Sequence, residues 1–282
     1  MNLPLLDVAS LTVVEAADAL ERALAGGLDP EAGPARVAVP VGEGELLVMP
    51  AAAGGYATVK LVTVGPREPR IQGVCVLFDA GTLAPVALLD GIALTNLRTP
   101  AVSALAVRRL AAPEARRLVV FGRGPQGRAH AEAIRAVRPI EHVDLLGRDA
   151  AGVDELVRRA DVVCCCTTAR EPLFDGDLVA EHACVVAIGS HEPSARETDD
   201  RLAARASVVV ESRSSALREA GDVIGAVEAG VLAEDELLTL GELVTGVVVP
   251  SGPSLFKSTG MAWEDAVVAA AVRDQQTGRL GL

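Results

Sequence analysis

The stretch "VVFGRGPQGRAH", residues 119–130, decides how this chain is read. An apolar run breaks into Gly122, Gly124 and Gly127, a G-x-G-x-x-G spacing, and then opens into a helical pattern. The first glycine permits a tight turn, the second lets backbone approach a pyrophosphate, and the third lets the helix pack on its strand. The phosphates rest on the N–H groups of the helix N-terminus. Gly122, Gly124, Pro125, Gln126 and Gly127 are therefore the candidate dinucleotide contacts.

The end of the next strand speaks to which dinucleotide. An NAD site normally places Asp or Glu there, about 20 residues beyond the motif, on the ribose 2′-hydroxyl. Here "VDLLGRD" (143–149) puts Gly147 and Arg148 at that point, followed by Asp149. With an arginine and no carboxylate to repel a 2′-phosphate, NADP(H) is preferred. Asp149, able to swing back toward a ribose, leaves NAD(H) open. Thr167, Thr168 and Ser190, at the carboxyl ends of later strands, are placed to touch ribose or nicotinamide.

From Arg117 onward strands alternate with helices, the rhythm of a parallel α/β sheet: "RLVVFG", "EHVDLLGR", "DVVCCCTT", "ACVVAIGS" and "ASVVVES". Only "DAAGVDELVRRA" (149–160) separates the second strand from "DVVCCC". One helix fits there, so the doubly wound Rossmann sheet is expected to lack the third strand of its usual 3-2-1-4-5-6 order. The first hundred residues look different. "SLTVVEAADALERALAGG" (10–27) reads as a helix capped by Ser10, five strand-like runs follow, and residues 99–112 read as another helix. "SLFKSTGMAWEDAVVAAAVRDQ" (254–275) reads as one long amphipathic helix opened by Lys257 and Ser258. Its paired acids Glu264 and Asp265 are expected on a solvated face or in a salt bridge.

At 282 residues, half of them hydrophobic, the chain can build one large domain or two smaller ones. A net charge of −12 with no basic run excludes nucleic acid as a partner. No apolar run approaches the ~20 residues of a membrane helix, and the first residues lack a signal-peptide pattern, so the expected location is the cytoplasm. Cys75, Cys164, Cys165, Cys166 and Cys184 are odd in number and three are consecutive, which suits small buried hydrophobes in a reducing compartment. With no CxxC pair, no metal site is expected. Arginine is the default cation here, so the two lysines, Lys60 and Lys257, mark places where a compact, titratable ammonium is required. His130, His142 and His182 read as structural or exposed.

The order of "ARVAVPVGEGELLVMPA", "ATVKLVTV", "LLDGIALTNLRTPAVSALA", "FGRGPQGRAH", "VVAIGSHEPSARETD", "ALREAGDV" and "SLFKSTGMAWEDAV" resembles the ornithine cyclodeaminase/mu-crystallin family nearly end to end. The resemblance implies a Rossmann domain over residues 104–252 and an α+β substrate and dimerisation domain from residues 1–103 and 253–282. It implies a homodimer and a small α-amino, α-imino or α-keto acid as substrate. Carried over, Arg36, Lys60 and Arg98 hold the substrate carboxylate and neighbouring polar atoms. A guanidinium suits a carboxylate, and a buried lysine suits proton transfer. Two positions depart from the family. His191 stands where the cyclodeaminases have a catalytic aspartate, and Val48 where they have a glutamate. Both argue against ornithine cyclisation and leave hydride transfer to an imine intact, with Lys60 or His191 as proton donor. An NAD(P)H-dependent imino-acid reductase or related amino-acid dehydrogenase is therefore expected; an ornithine cyclodeaminase and a non-catalytic NADPH-binding protein are the alternatives.

Overall fold

The computed structural model describes residues 2–248 and 250–278. Its strands are β1 (Leu5–Leu6), β2 (Val37–Val41), β3 (Gly44–Ala53), β4 (Tyr56–Val64), β5 (Ile71–Asp79), β6 (Pro85–Asp90), β7 (Arg117–Phe121), β8 (His142–Leu146), β9 (Val162–Cys165), β10 (Cys184–Ala187), β11 (Ser207–Val210), β12 (Leu238–Thr239) and β13 (Ser254–Lys257). Its helices are α1 (Val13–Ala25), α2 (Gly91–Leu110), α3 (Pro125–Val137), α4 (Val153–Arg159), α5 (Asp200–Arg205), α6 (Arg213–Glu219), α7 (Gly221–Glu228), α8 (Leu240–Val244) and α9 (Ala262–Thr277). Chain contacts separate two units, Met1–Val102 with Met261–Leu282, and Ser103–Gly260.

The first unit is built on a mixed six-stranded sheet in the order β1-β6-β5-β4-β3-β2, with β1 parallel to β6 and the other pairs antiparallel. Alternation decides which face is covered. Leu47, Met49, Tyr56, Thr58, Val62, Cys75, Leu77, Ala87 and Leu89 are buried, and α9 packs on β3 and β4. α1 turns Ala16, Leu20 and Leu24, one face of a helix, inward and packs on α9. The cap of α1 corrects the sequence reading. Thr12, not Ser10, is the N-cap; it accepts from the Glu15 N–H, and the Glu15 carboxylate accepts from the Thr12 N–H at 2.8 Å. Ser10 instead ends a 3-10 turn.

Two other boundaries move. The helix expected over 99–112 begins at Gly91, where Asp90 accepts from the Ile92 and Ala93 N–H groups at 2.8 and 2.9 Å. Pro100 normally marks a first helical turn, and here it lies inside the helix. The expected helix over 254–275 is a strand followed by a shorter helix, and Lys257 and Ser258 do not open it. Over Trp263–Ala270 that helix is buried on every side rather than amphipathic.

The second unit carries a fully parallel seven-stranded sheet in the order β12-β11-β13-β10-β9-β7-β8. β9, β10 and β13 are buried at every residue, as expected for strands covered on both faces. β8 is the edge strand and no described strand lies beyond it, so the third strand is missing as the short connection implied. The chain steps from β7 out to β8 and then back across β7 to β9, which makes the β7–β9 gap the switch point where ligands of such sheets bind. The final row of the sheet runs Leu146, Phe121, Cys165, Ala187, Lys257, Val210. The residues that follow, Gly147, Gly122, Cys166, Ile188, Ser258 and Glu211, form its carboxyl rim.

Thr12→Ala removes the reciprocal cap of α1 and is expected to cost about 1 kcal/mol. A fall in the urea midpoint at unchanged slope is the measurement that checks it.

Candidate functional site

In the first unit, one cross-strand row reads Met49, Lys60, Cys75, Leu89. Lys60 is 2% exposed, and its ammonium lies 2.7 and 2.6 Å from the two carboxylate oxygens of Asp265 and 3.3 Å from Thr95 Oγ1. Arg98, on α2, donates from Nη1 to Glu264 at 2.7 Å and brings Nε within 3.4 Å of Asp265. Taking an ion out of water costs several kcal/mol, so opposite charges at these distances are what make the cluster tolerable. Burial pulls the Lys60 ammonium below its ordinary range, with Asp265 opposing and Arg98 reinforcing the shift. Cys75, facing Lys60 across the sheet, is pushed up to about 12 by burial and by Asp265. Half-buried Arg36 lies one residue before the Val37–Val48 pair, so the antiparallel register places it level with Met49, along the Lys60 row. Val48 pairs with Leu61, on the sheet face away from Lys60.

In the second unit, the glycine turn fits a dinucleotide. Gly122 has φ +109°, and a Cβ there would stand 2.4 Å from the Cys166 carbonyl oxygen. A Cβ on Gly127 would meet the Gly122 carbonyl at 1.9 Å, whereas one on Gly124 would meet nothing within 4 Å. Two glycines are thus demanded by the protein's own backbone and the third leaves open ground. No side chain caps α3, whose first residue is Pro125, so its first-turn N–H groups suit an anion. Gln126 is half-buried.

Arg123, between the first two glycines, was not singled out by the sequence. Its Nε donates to the Leu145 carbonyl at 3.1 Å, and its guanidinium lies 3.3 Å from where a Cβ on Gly147 would be. A guanidinium therefore covers the end of β8, the position at which NAD sites carry a carboxylate. Arg148 and Asp149 are exposed in the turn that follows.

A buried network fixes the rest of the rim. Lys257, 1% exposed at the end of β13, pairs with Asp222 at 2.9 Å and donates to the Ser190 carbonyl at 2.8 Å. Asp222 accepts from the N–H groups of Glu197 and Thr198 at 2.8 Å each. The Glu197 carboxylate accepts from the Thr167 N–H and hydroxyl, both at 2.8 Å, and from the Gly189 N–H at 2.7 Å. Burial raises Glu197 despite Lys257; at Asp222 burial works the same way but Lys257 and the N–H donors outweigh it, so its carboxyl is lowered. Thr167 and Ser190 are held in this network, while Thr168 and His191 are exposed on the loops after β9 and β10.

The cysteine reading needs one correction. Cys164 and Cys165 are buried with thiols raised well above the usual value by burial, but Cys166 is half-buried. A hydrogen bond from Cys164 pulls its thiol down to about 5 against burial, with His130 adding to the effect. The sequence-distant His130 joins this pair, which the search for CxxC spacing missed. Of the two expectations for Glu264 and Asp265 the salt bridge holds: both are in buried ion pairs, and neither is solvated. Among the described residues no helix is long and apolar enough to cross a membrane.

Comparison with known proteins finds relatives along nearly the whole chain. The family model described as "Ornithine cyclodeaminase/mu-crystallin family" matches residues 5–158 and 150–279. The ketimine reductase mu-crystallin of Mus musculus is 35% identical over 90% of each chain. A Delta(1)-pyrroline-2-carboxylate reductase of Bacillus cereus is 34% identical over 79% of each. The Thermococcus litoralis Delta(1)-pyrroline-2-carboxylate reductase, solved with NADH and L-proline, is 27% identical and superposes at a TM-score of 0.88 over 98% of each chain.

Asp222 is expected to show its role through pH. Its folded-state pKa lies below the ordinary 3.8, so its stabilising contribution is present above that value and is lost as pH falls through the folded one. Asp222→Asn strands a buried ammonium and should cost about 3–5 kcal/mol at neutral pH. The gap to the native chain should begin to narrow below about pH 4, where the unfolded chain's carboxyl takes a proton, and close as pH falls through the lower folded-state value. Urea midpoints at neutral and acidic pH test this; a gap constant across that range contradicts it.

Proposed function

The chain belongs to the ornithine cyclodeaminase/mu-crystallin family, and from that premise we propose that it is a nicotinamide-dependent reductase of a small cyclic imino acid, of the pyrroline- or piperideine-2-carboxylate class. The observation that carries this reading is the buried Lys60–Arg98 cluster with Glu264 and Asp265. Lys60 and Arg98 stand against Asp265 and Glu264, and Arg36, level with the same row, adds a guanidinium of the kind that suits a substrate carboxylate. Arg36 and Arg98 grip that carboxylate, and Lys60, its ammonium weakened by burial, hydrogen-bonds the imine nitrogen and yields a proton to it. His191 is the second candidate donor. A nicotinamide, when bound, would supply hydride chemistry, and this cluster's part is to orient the imine. The absence of a carboxylate at 191 and 48 counts against ornithine cyclisation.

Gly122, Gly124, Pro125, Gln126 and Gly127 hold the pyrophosphate, with Thr167, Thr168 and Ser190 beside ribose or nicotinamide. For the adenosine end the reading is NADP(H), with NAD(H) accommodated less tightly. Arg123 over Gly147, with Arg148 following, supports a 2′-phosphate, while Asp149 is what leaves NAD(H) open. The reading also includes a cytoplasmic homodimer. The unpaired thiols fit a reducing compartment, and edge strand β2, with Val37, Val39 and Val41 exposed, fits pairing with a second copy.

The test is loss of NADPH absorbance with a cyclic imino acid, repeated with NADH. Turnover with NADPH is the expected result; ammonia release from ornithine in its place moves the chain to cyclodeaminase, and nucleotide binding without either moves it to a binding protein. Lys60→Met should lower kcat roughly 100-fold or more while leaving the nucleotide Kd within about threefold, because a proton donor is lost and the other unit is untouched. Arg123→Ala should raise the KM for NADPH roughly 10- to 100-fold and that for NADH much less, the loss of a charge-assisted phosphate contact. Equal effects on both cofactors would refute the 2′-phosphate assignment.

A further inference from the structure

His130, Cys164 and Cys166 come together at the rim of the parallel sheet, and the proposed reductase chemistry makes no use of them. Their donor atoms all lie within 4.8 Å of one another, with the two sulfurs 3.5 Å apart. Two thiolates on one tetrahedral zinc ion stand roughly 3.8 Å apart, given Zn–S bonds of about 2.3 Å, so the sulfurs are already near the required separation. The histidine is oriented for the same task. Nδ1 faces the Gln126 carbonyl at 2.7 Å, and a carbonyl only accepts, so Nδ1 carries a proton. A neutral imidazole then offers its lone pair at Nε2, on the side of Ser103 Oγ at 3.0 Å. A backbone carbonyl holding one ring nitrogen while the other stays available is the usual outer-shell arrangement of a metal-binding histidine.

We propose that His130 Nε2, Cys164 Sγ and Cys166 Sγ form a binding site for a thiophilic divalent cation of the zinc class, with a fourth position left for solvent. Binding displaces the two thiol protons to solvent and takes the Nε2 lone pair from the Ser103 hydroxyl, which turns to another acceptor. Half-buried Cys166 provides the way in, while His130 and Cys164 are buried. Soft thiolates with one imidazole select zinc, cadmium or cobalt over magnesium and calcium. The site touches the nucleotide turn on two sides: the Cys166 carbonyl packs against Gly122, and the Gln126 carbonyl holds the His130 ring. It does not depend on the substrate or on which nicotinamide dinucleotide binds.

Co2+ titration of the whole, freshly reduced, metal-free protein tests the assignment, read by the thiolate-to-cobalt charge-transfer band and the visible bands of a tetrahedral ion. One equivalent should develop these bands, Zn2+ should bleach them, and Mg2+ should not. Cys166→Ser, at a half-buried position where folding is little at risk, should weaken binding at least about 100-fold, as should Cys164→Ser. Cys184→Ala, which removes a buried thiol elsewhere in the same sheet, should leave the bands intact. Absence of a thiolate–cobalt band in the native chain overturns the site, as does a band that survives in the Cys164→Ser/Cys166→Ser double variant of demonstrated fold.

Discussion

Burying an ammonium costs several kcal/mol, and both lysines of this chain are buried. Much of the second unit is organised around meeting that cost at Lys257. Asp222 balances its charge and the Ser190 carbonyl accepts a hydrogen bond from it, so α7 and the loop after β10 are both tied to one atom at the end of β13. Asp222 in turn holds the backbone at Glu197 and Thr198, and Glu197 holds Thr167 and Gly189. The loops after β9 and β10 are therefore tied to the end of β13 by one continuous polar network. Every member needs the others, because a half-satisfied buried network is worse than an apolar core.

Lys60 is the same solution with a different consequence. It too faces an aspartate, but Arg98 shares that aspartate, and the two cations push against each other. The cluster is balanced closely enough to be buried and loosely enough to weaken a proton. Lys257, whose partner Asp222 also takes backbone donors, locks structure; Lys60 shares its aspartate with a second cation, and burial lowers its pKa. One residue type thus serves two ends, and the neighbours decide which.

What the sequence disclosed and what it withheld follow from the range of the signals. Fully buried parallel strands are continuous apolar runs, and β7 through β11 were legible as such. The missing third strand could be counted from the length of residues 149–160. Lys60 was conspicuous as a lysine inside an apolar strand of an arginine-rich chain. β13 was hidden because "SLFK" is a short apolar run abutting a helix, which periodicity cannot separate from the helix itself. It enters the sheet between β10 and β11 only through tertiary pairing. The first turns of α2 were masked by Pro100, and with them Thr95, a neighbour of Lys60. Asp265, more than 200 residues from Lys60, and His130, far from Cys164 in sequence, carry no local signal that they will meet their partners.

Arg123 and the missing strand bear on each other. With β8 at the edge of the sheet, the ground beside its carboxyl end lacks the cover a further strand would give. A long side chain laid there from the glycine turn supplies part of that cover, and its bond to the Leu145 carbonyl fixes it before any ligand arrives. A Cβ at 147 would come within 3.3 Å of the guanidinium, which would have to give by a few tenths of an ångström to admit it. An acidic residue there, the usual partner of a ribose 2′-hydroxyl, would instead meet the arginine and consume it in an ion pair. A carboxylate at 147 and an arginine at 123 are thus electrostatically coupled choices, and this chain carries the arginine without the carboxylate.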